Sequence, residues 1–144
     1  MLELDHINTF RGPAHVLRGV SLEVKDGEAV CLVGRNGAGK TTTIDTIMGL
    51  LSPKSGKITF KGQDITRLPT HKRALLGIGY SPEDAGIFPD LTVAENFQIS
   101  HWLAHPARKG RSAPAGADTD EKIFAIFPEV RAFLVRRGLN LSGG

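Results

Sequence analysis

Eight residues in the first third of the chain have the types and the spacing that phosphate binding requires. Residues 34–41 read Gly-Arg-Asn-Gly-Ala-Gly-Lys-Thr and fit the pattern G-x-x-x-x-G-K-[ST] at every fixed position. The glycines let the backbone turn with its N–H groups pointing inward, and no Cβ blocks an approaching phosphate. Lys40 supplies charge for the β- and γ-phosphates, Thr41 a hydroxyl for Mg²⁺, and Thr42 a hydrogen bond to the α-phosphate. The predicted nucleotide-binding residues are Gly34, Arg35, Asn36, Gly37, Ala38, Gly39, Lys40, Thr41 and Thr42.

The segments on either side of this loop indicate a strand and a helix. The apolar run Ala29–Val33 predicts a buried parallel strand, in which the single cysteine, Cys31, behaves as a small buried hydrophobe. After the loop, apolar residues recur at helical spacing from Thr41 to Leu51, which predicts a helix whose positive dipole end faces the phosphates. A glycine-rich turn with no ligand is the alternative, but the order of strand, loop and helix favours nucleotide binding.

The remaining patterns predict a β layer followed by helices. Apolar residues alternate with polar ones near Leu2 and across Val20–Val24, so we expect an antiparallel N-terminal layer. Thr92 and Glu95 form a capping box that opens a helix. Further strands are predicted at 57–61 and 78–80, further helices at 69–76, 120–127 and 129–137, and a loop at 105–119.

Composition excludes several classes of protein. A chain of 144 residues with 40% hydrophobic residues is ordinary for one globular domain, and a net charge of +3 does not suggest nucleic-acid binding. No apolar run approaches the length of a membrane span, and the N-terminus lacks the layout of a signal peptide. One cysteine fits a reducing compartment, so we expect a cytoplasmic protein.

A second motif lies about 100 residues after the loop, at the end of the sequence. Residues 141–144 read Leu-Ser-Gly-Gly, and together with the loop they make the whole chain resemble the ATP-binding subunit of ABC transporters. The chain is most similar to subunits of branched-chain amino acid importers and their urea-importing relatives. The segments that carry this likeness are 19–24, 34–43, 48–51, 64–69, 76–80 and 87–96.

The resemblance implies an α/β fold of the P-loop NTPase type. It comprises an N-terminal antiparallel β layer, a partial parallel core and a helical subdomain, divided here into residues 1–90 and 91–144. It also implies that two subunits face each other around ATP and Mg²⁺, as a homo- or heterodimer. Ser142, Gly143 and Gly144 of one subunit would then contact the γ-phosphate on the other. Membrane permease subunits are the further partners, which places the protein at the inner face of the cell membrane.

The resemblance also suggests residues around the metal and the base. The family's metal-coordinating glutamine corresponds here to Glu83, whose carboxylate also offers an oxygen to Mg²⁺. The family's adenine-stacking aromatic residue corresponds to Arg11, with Phe10 beside it, and a guanidinium plane can stack on a purine. Phe10 as a core residue remains an open alternative, and Val16 can add an apolar contact.

The family's hydrolysis residues follow the signature motif and do not occur within these 144 residues. The general-base glutamate would lie beyond Gly144, and the five histidines, all before the motif, match no catalytic position. We therefore expect these residues alone not to hydrolyse ATP at a useful rate, and we expect a marginally stable fold, because the phosphate-loop strand would lack a neighbour.

Three functions follow from these patterns. The leading one is the ATP-binding subunit of an importer of branched-chain amino acids. A soluble ABC-type ATPase that does not drive transport and a non-catalytic nucleotide-binding protein are the alternatives.

Overall fold

Four antiparallel strands form the sheet at the start of the chain, in the spatial order β2-β1-β3-β4. The computed structural model describes residues 1–83, 86–104 and 117–141. Central strand β1 pairs with β2 on one side, Leu4 opposite Leu22, and with β3 on the other, Leu4 opposite Ile58. The antiparallel N-terminal layer predicted from the alternating pattern is confirmed. The strands are β1 (Leu2–Arg11), β2 (Ala14–Val24), β3 (Ser55–Phe60) and β4 (Gln63–Asp64).

The helices follow the predicted order with changed ends. They are α1 (Lys40–Met48), α2 (Thr70–Leu75), α3 (Val93–Ala104) and α4 (Ala117–Ile126), with 3₁₀ turns at Pro128–Phe133 and Gly138–Asn140. The first helix ends before the predicted Leu51 because Gly49 adopts a left-handed conformation at φ 77°, and its N–H bonds back to Asp45 and Thr46.

The helix predicted across residues 129–137 is wrong, because its carbonyl groups are used elsewhere. The N–H groups of Val93 and Ala94 begin α3 and have no partner within it, and they bond to the carbonyls of Arg136 and Leu134 at 2.9 and 3.0 Å. The capping box at the same helix start is confirmed. Glu95 accepts the N–H of Thr92 at 2.8 Å and donates its own N–H to the Thr92 hydroxyl at 3.2 Å.

The backbone clusters into two units, Met1–Tyr80 and Ser81–Gly144. The sequence placed this division ten residues later, between 90 and 91. Hydrogen bonds explain the difference, because residues 88–91 bond within the second unit. The N–H of Gly138 donates to Leu91 at 2.9 Å, that of Leu139 to Pro89 at 2.9 Å, and that of Phe88 to the side-chain oxygen of Asn96 at 2.8 Å.

The strand predicted at Ala29–Val33 is not formed. Within the described part of the chain these residues have no strand partner, Val33 is 85% exposed, and Cys31 is exposed rather than buried. A strand exists only where a neighbour completes its hydrogen bonds, and none of the four strands of the described sheet pairs with these residues. The strand predicted at 78–80 is absent for the same reason, so the sheet in the described part of the chain is antiparallel throughout and the expected parallel core is not seen there.

A small apolar core joins the sheet to α1. Its buried members are Leu4, Ile7, Leu17, Ile47, Ile58 and Ile65. Four of these lie on the strands and Ile47 on α1, so the predicted apolar face of the helix does pack against the β layer. Burying each such side chain stabilises the fold by roughly 1.5 to 3 kcal/mol.

A buried arginine connects α2 to the end of α1. The side chain of Arg73 is 1% exposed, and its guanidinium donates to the carbonyls of Thr46 at 2.9 Å and Ile47 at 2.6 Å. It also donates to the carbonyls of Thr66 at 3.1 Å and Leu68 at 2.7 Å. Burial lowers the pKa of Arg73, but a guanidinium stays protonated, so a positive charge lies at the negative end of the α1 dipole.

We expect Arg73→Met to destabilise the fold strongly. The change keeps most of the side-chain volume but removes the guanidinium donors from four carbonyl groups, of which, among the described residues, only that of Thr46 keeps another donor, the N–H of Gly49, and this should cost about 3 kcal/mol or more. Urea unfolding would measure it. Arg67→Met, at an exposed arginine in the same segment, is the matched control, and equal losses in the two variants would contradict this role for Arg73.

Candidate nucleotide-binding site

The lysine of the predicted loop is held inside the loop. Lys40 is the first residue of α1, and its ammonium group donates to the carbonyls of Gly34 at 2.8 Å and Arg35 at 3.0 Å. An ammonium has three donors, so one remains after these two bonds. Within residues 1–83, 86–104 and 117–141 no carboxylate pairs with this charge. The loop therefore presents a fixed positive charge whose partners in the described part of the chain are two carbonyl groups.

The glycines of the loop adopt conformations that other residues avoid. Gly37 has φ 82° and Gly39 has φ 95°. A Cβ on Gly39 would also lie 3.0 Å from the side chain of Leu17 and 3.4 Å from that of Val16. Strand β2 therefore packs directly against the start of α1, and only glycine fits between them.

The start of α1 provides backbone donors for an anion. The N–H of Thr43 makes the first helical bond, to Gly39 at 2.8 Å, so the N–H groups before it have no carbonyl one turn earlier. The first turn of the helix carries no acidic side chain. Donors, dipole and the Lys40 ammonium therefore coincide at one end of one helix, the arrangement that binds phosphate.

The three threonines after Lys40 lie in different surroundings. Thr41 is exposed, so its hydroxyl is accessible to a ligand. Thr42 is 5% exposed, and Thr43 is turned inward with its hydroxyl donating to Gly39 at 2.9 Å. The predicted role of Thr41 at a metal fits this exposure, whereas Thr42 is a buried residue.

The residues predicted near the base have partners of their own. Arg11 forms an ion pair with Asp45 of α1, and its side chain stays 55% exposed. Phe10 stacks on His15 with ring centroids 4.3 Å apart and an angle of 8°, and the ammonium of Lys54 lies 5.1 Å from the same ring. Val16 is half-buried and packs against the core. The sequence analysis missed Asp45, and its position one helical turn after Thr41 was the only available signal.

The predicted metal ligands lie in separate units. Thr41 belongs to the first unit, and Glu83, which is exposed, belongs to the second. The described residues contain no cluster of three or more His, Cys, Asp or Glu side chains that could hold a metal ion. A site with few protein oxygens, such as the predicted pair Thr41 and Glu83, suits Mg²⁺, which typically binds one or two protein oxygens together with the phosphates of its substrate.

The signature residues Ser142, Gly143 and Gly144 lie outside the described residues, as does His105. The residues of the second unit that precede them in the sequence form a cleft of about 560 Å³, with Ile87, Val93, Phe127 and Phe133 among its lining residues. Phe88 and Leu139, both bulky and apolar, are more than half exposed in this unit. Among the described helices none has the length and the apolar character to cross a membrane.

Known proteins are similar to this chain in both sequence and fold. A family model described as ABC transporter matches residues 17–144. A probable ABC transporter ATP-binding protein of Azorhizobium caulinodans is 42% identical over 135 residues, which are 92% of this chain and 45% of the relative. A probable branched-chain amino acid transport ATP-binding protein, LivF, of Archaeoglobus fulgidus is 35% identical over 144 residues, 100% of this chain and 58% of the relative.

An exporter subunit and a solved structure are also similar. The lipopolysaccharide export system ATP-binding protein LptB of Escherichia coli is 48% identical over 101 residues, 67% of this chain and 42% of that protein. A solved ATP-binding subunit of an ABC transporter superposes with a TM-score of 0.78 at 28% identity, covering 99% of this chain and 56% of its own. The chain thus spans about half the length of the relatives it matches. With the loop geometry above, these matches establish that the chain belongs to the family of ABC transporter ATP-binding proteins.

Proposed function

We propose that the chain binds ATP with Mg²⁺ at residues 34–42 and acts as the ATP-binding subunit of an importer of branched-chain amino acids. The observation that carries the first part is the Lys40 ammonium, fixed in the loop at the N-terminus of α1. ATP binding in this family is coupled to hydrolysis and transport, and the Archaeoglobus relative, named for branched-chain amino acid transport, matches the whole chain.

Each predicted residue has a place in this proposal. Lys40 and the loop N–H groups hold the phosphates, and Thr41 together with Glu83 provides protein oxygens to Mg²⁺. Arg11 and Val16 contact the base. Ser142, Gly143 and Gly144 contact the γ-phosphate of ATP on a second ATPase subunit. Permease subunits bind at the exposed apolar residues Ile87 and Phe88 of the second unit, which brings the protein to the inner face of the membrane.

A lipopolysaccharide exporter is the second candidate. It is supported by the 48% identity to the exporter subunit, which is higher than the identity to the importer subunit. That match covers 67% of the chain, whereas the importer match covers all of it, including residues 81–144, the unit with the proposed permease-binding residues. We therefore favour the importer.

Lys40→Ala should remove most of the affinity for ATP. Loss of charge-assisted hydrogen bonds to phosphate should weaken binding by roughly 100-fold, and calorimetric titration with Mg·ATP measures it. Lys25→Ala, at an exposed lysine outside the loop, is the control and should bind like the wild type. Equal affinity in the wild type and Lys40→Ala would contradict the site.

The 144 residues alone should not turn ATP over faster than the Lys40→Ala variant. Phosphoryl transfer requires a positioned water and a group that orients it, and no residue of this sequence matches the family's general base. Phosphate release measured on preparations free of other ATPases tests this. Turnover well above that of the variant would show that the chain has its own catalytic residues.

The importer assignment has a genetic test. Deletion of the gene from its host should abolish high-affinity uptake of radiolabelled leucine, and the wild-type gene should restore it. Loss of lipopolysaccharide export with normal leucine uptake would instead identify the exporter.

A further inference from the structure

The side chain of Asn96, the fourth residue of α3, holds the turn at residues 88–91. The N–H of Phe88 donates to Oδ1 of Asn96 at 2.8 Å, and Nδ2 of Asn96 donates to the carbonyl of Phe88 at 3.1 Å. The same nitrogen donates to the carbonyl of Thr92 at 2.9 Å. One amide group thus bonds both backbone groups of Phe88, as a residue on a neighbouring strand would, and ties them to the start of the helix.

Gly138 packs against the same turn. Its N–H donates to the carbonyl of Leu91 at 2.9 Å. A Cβ at this glycine would lie 3.0 Å from the carbonyl oxygen of Phe88 and 3.1 Å from Cδ1 of Ile87, so the two segments leave little room for any side chain. The backbone of the turn is therefore fixed by two separate parts of the second unit.

Two apolar side chains next to these bonds remain in contact with solvent. Ile87 is 44% exposed and Phe88 is 53% exposed. Leaving them in water forgoes part of the stabilisation that burial would give, so a turn built only for stability would gain by burying them. A fixed backbone that presents exposed apolar side chains is instead typical of a surface that binds a partner.

We infer that Asn96 is a positioning residue that holds Ile87 and Phe88 in the arrangement that binds a permease subunit. Fixing the turn in advance reduces the conformational entropy that is lost when the partner binds, so the amide of Asn96 contributes to affinity through the turn. The inference rests on the proposed function, because it requires a permease subunit at these two residues.

The test compares leucine uptake with nucleotide binding. The wild-type gene, Asn96→Leu, Phe88→Ala and the double variant each replace the chromosomal gene in the host at equal protein levels, and uptake of radiolabelled leucine is measured. Each purified protein is titrated with Mg·ATP, which binds at the phosphate loop of the first unit. Each single variant should take up leucine about tenfold more slowly and bind Mg·ATP as the wild type does.

The double variant shows whether Asn96 acts through the turn. If it does, the loss in the double variant should be close to that in Phe88→Ala, because the surface that Asn96 positions is already impaired. Independent contributions would instead multiply to about a hundredfold. Amide hydrogen exchange should be faster at Phe88 in Asn96→Leu and unchanged in α4, which belongs to the same unit.

Two further variants separate this role from a structural one. Gln98→Leu makes the same change at an exposed amide of the same helix and should leave uptake and Mg·ATP binding unchanged. Asn96→Asp keeps an acceptor for the Phe88 N–H but loses the amide donors, so it should give an intermediate rate of uptake. This variant tests the inference even where Asn96→Leu does not fold.

Failure of the inference is distinguishable from failure of the proposed function. Normal uptake in the Asn96 variants, losses that multiply in the double variant, or faster exchange in α4 as well as at Phe88 would each overturn the inference and leave the proposed function in place. If the wild-type gene itself does not support leucine uptake, the importer assignment fails and the inference with it.

Discussion

The nine-residue helix α1 leaves backbone N–H groups at its start and carbonyl groups at its end without partners inside the helix. The architecture of the first unit depends on which groups outside the helix bond to them. A helix of this length is marginal in isolation, so it depends on its surroundings. At its C-terminal end, Arg73 supplies charged donors to the carbonyls of Thr46 and Ile47. At its N-terminal end no side chain of the described residues caps it, and the donors are left for a ligand. The bonds of Arg73 at the C-terminal end thus stabilise the whole helix, including its uncapped N-terminal end.

Positively charged side chains lie at both ends of α1. Arg73 lies at the negative end of the helix dipole, while the Lys40 ammonium lies at the positive end and bonds two loop carbonyls, those of Gly34 and Arg35. At the loop, the Lys40 charge and the positive end of the helix dipole repel each other in the absence of an anion, so a phosphate group relieves the electrostatic cost of this arrangement. The ion pair between Asp45 and Arg11 lies further along the helix and carries no net charge, so it leaves the positive charge of the loop in place.

The sequence predicted those features that depend on local chemistry. The glycines and lysine of the loop, the alternating strands β1 and β2, and the capping box of Thr92 and Glu95 each follow from residue type and spacing. The features it missed depend on distant partners. Ala29–Val33 has the composition of a buried strand, but no neighbour in the described sheet pairs with it, so Cys31 and Val33 are exposed. The segment 129–137 has a helical pattern, yet its carbonyls bond to α3 instead. Sequence spacing does not predict the burial of Arg73 or the pairing of Arg11 with Asp45. Both depend on tertiary contacts that bring Arg73 and Arg11 to α1 from distant parts of the sequence.

Amide hydrogen exchange with and without Mg·ATP tests the central claim, that the open end of α1 is the nucleotide site. The account predicts that nucleotide slows exchange at residues 34–42, whose N–H groups gain phosphate acceptors, and that the Lys40→Ala variant shows no such change. Unchanged exchange at these residues while ATP is bound, or protection confined to other parts of the chain, would contradict it.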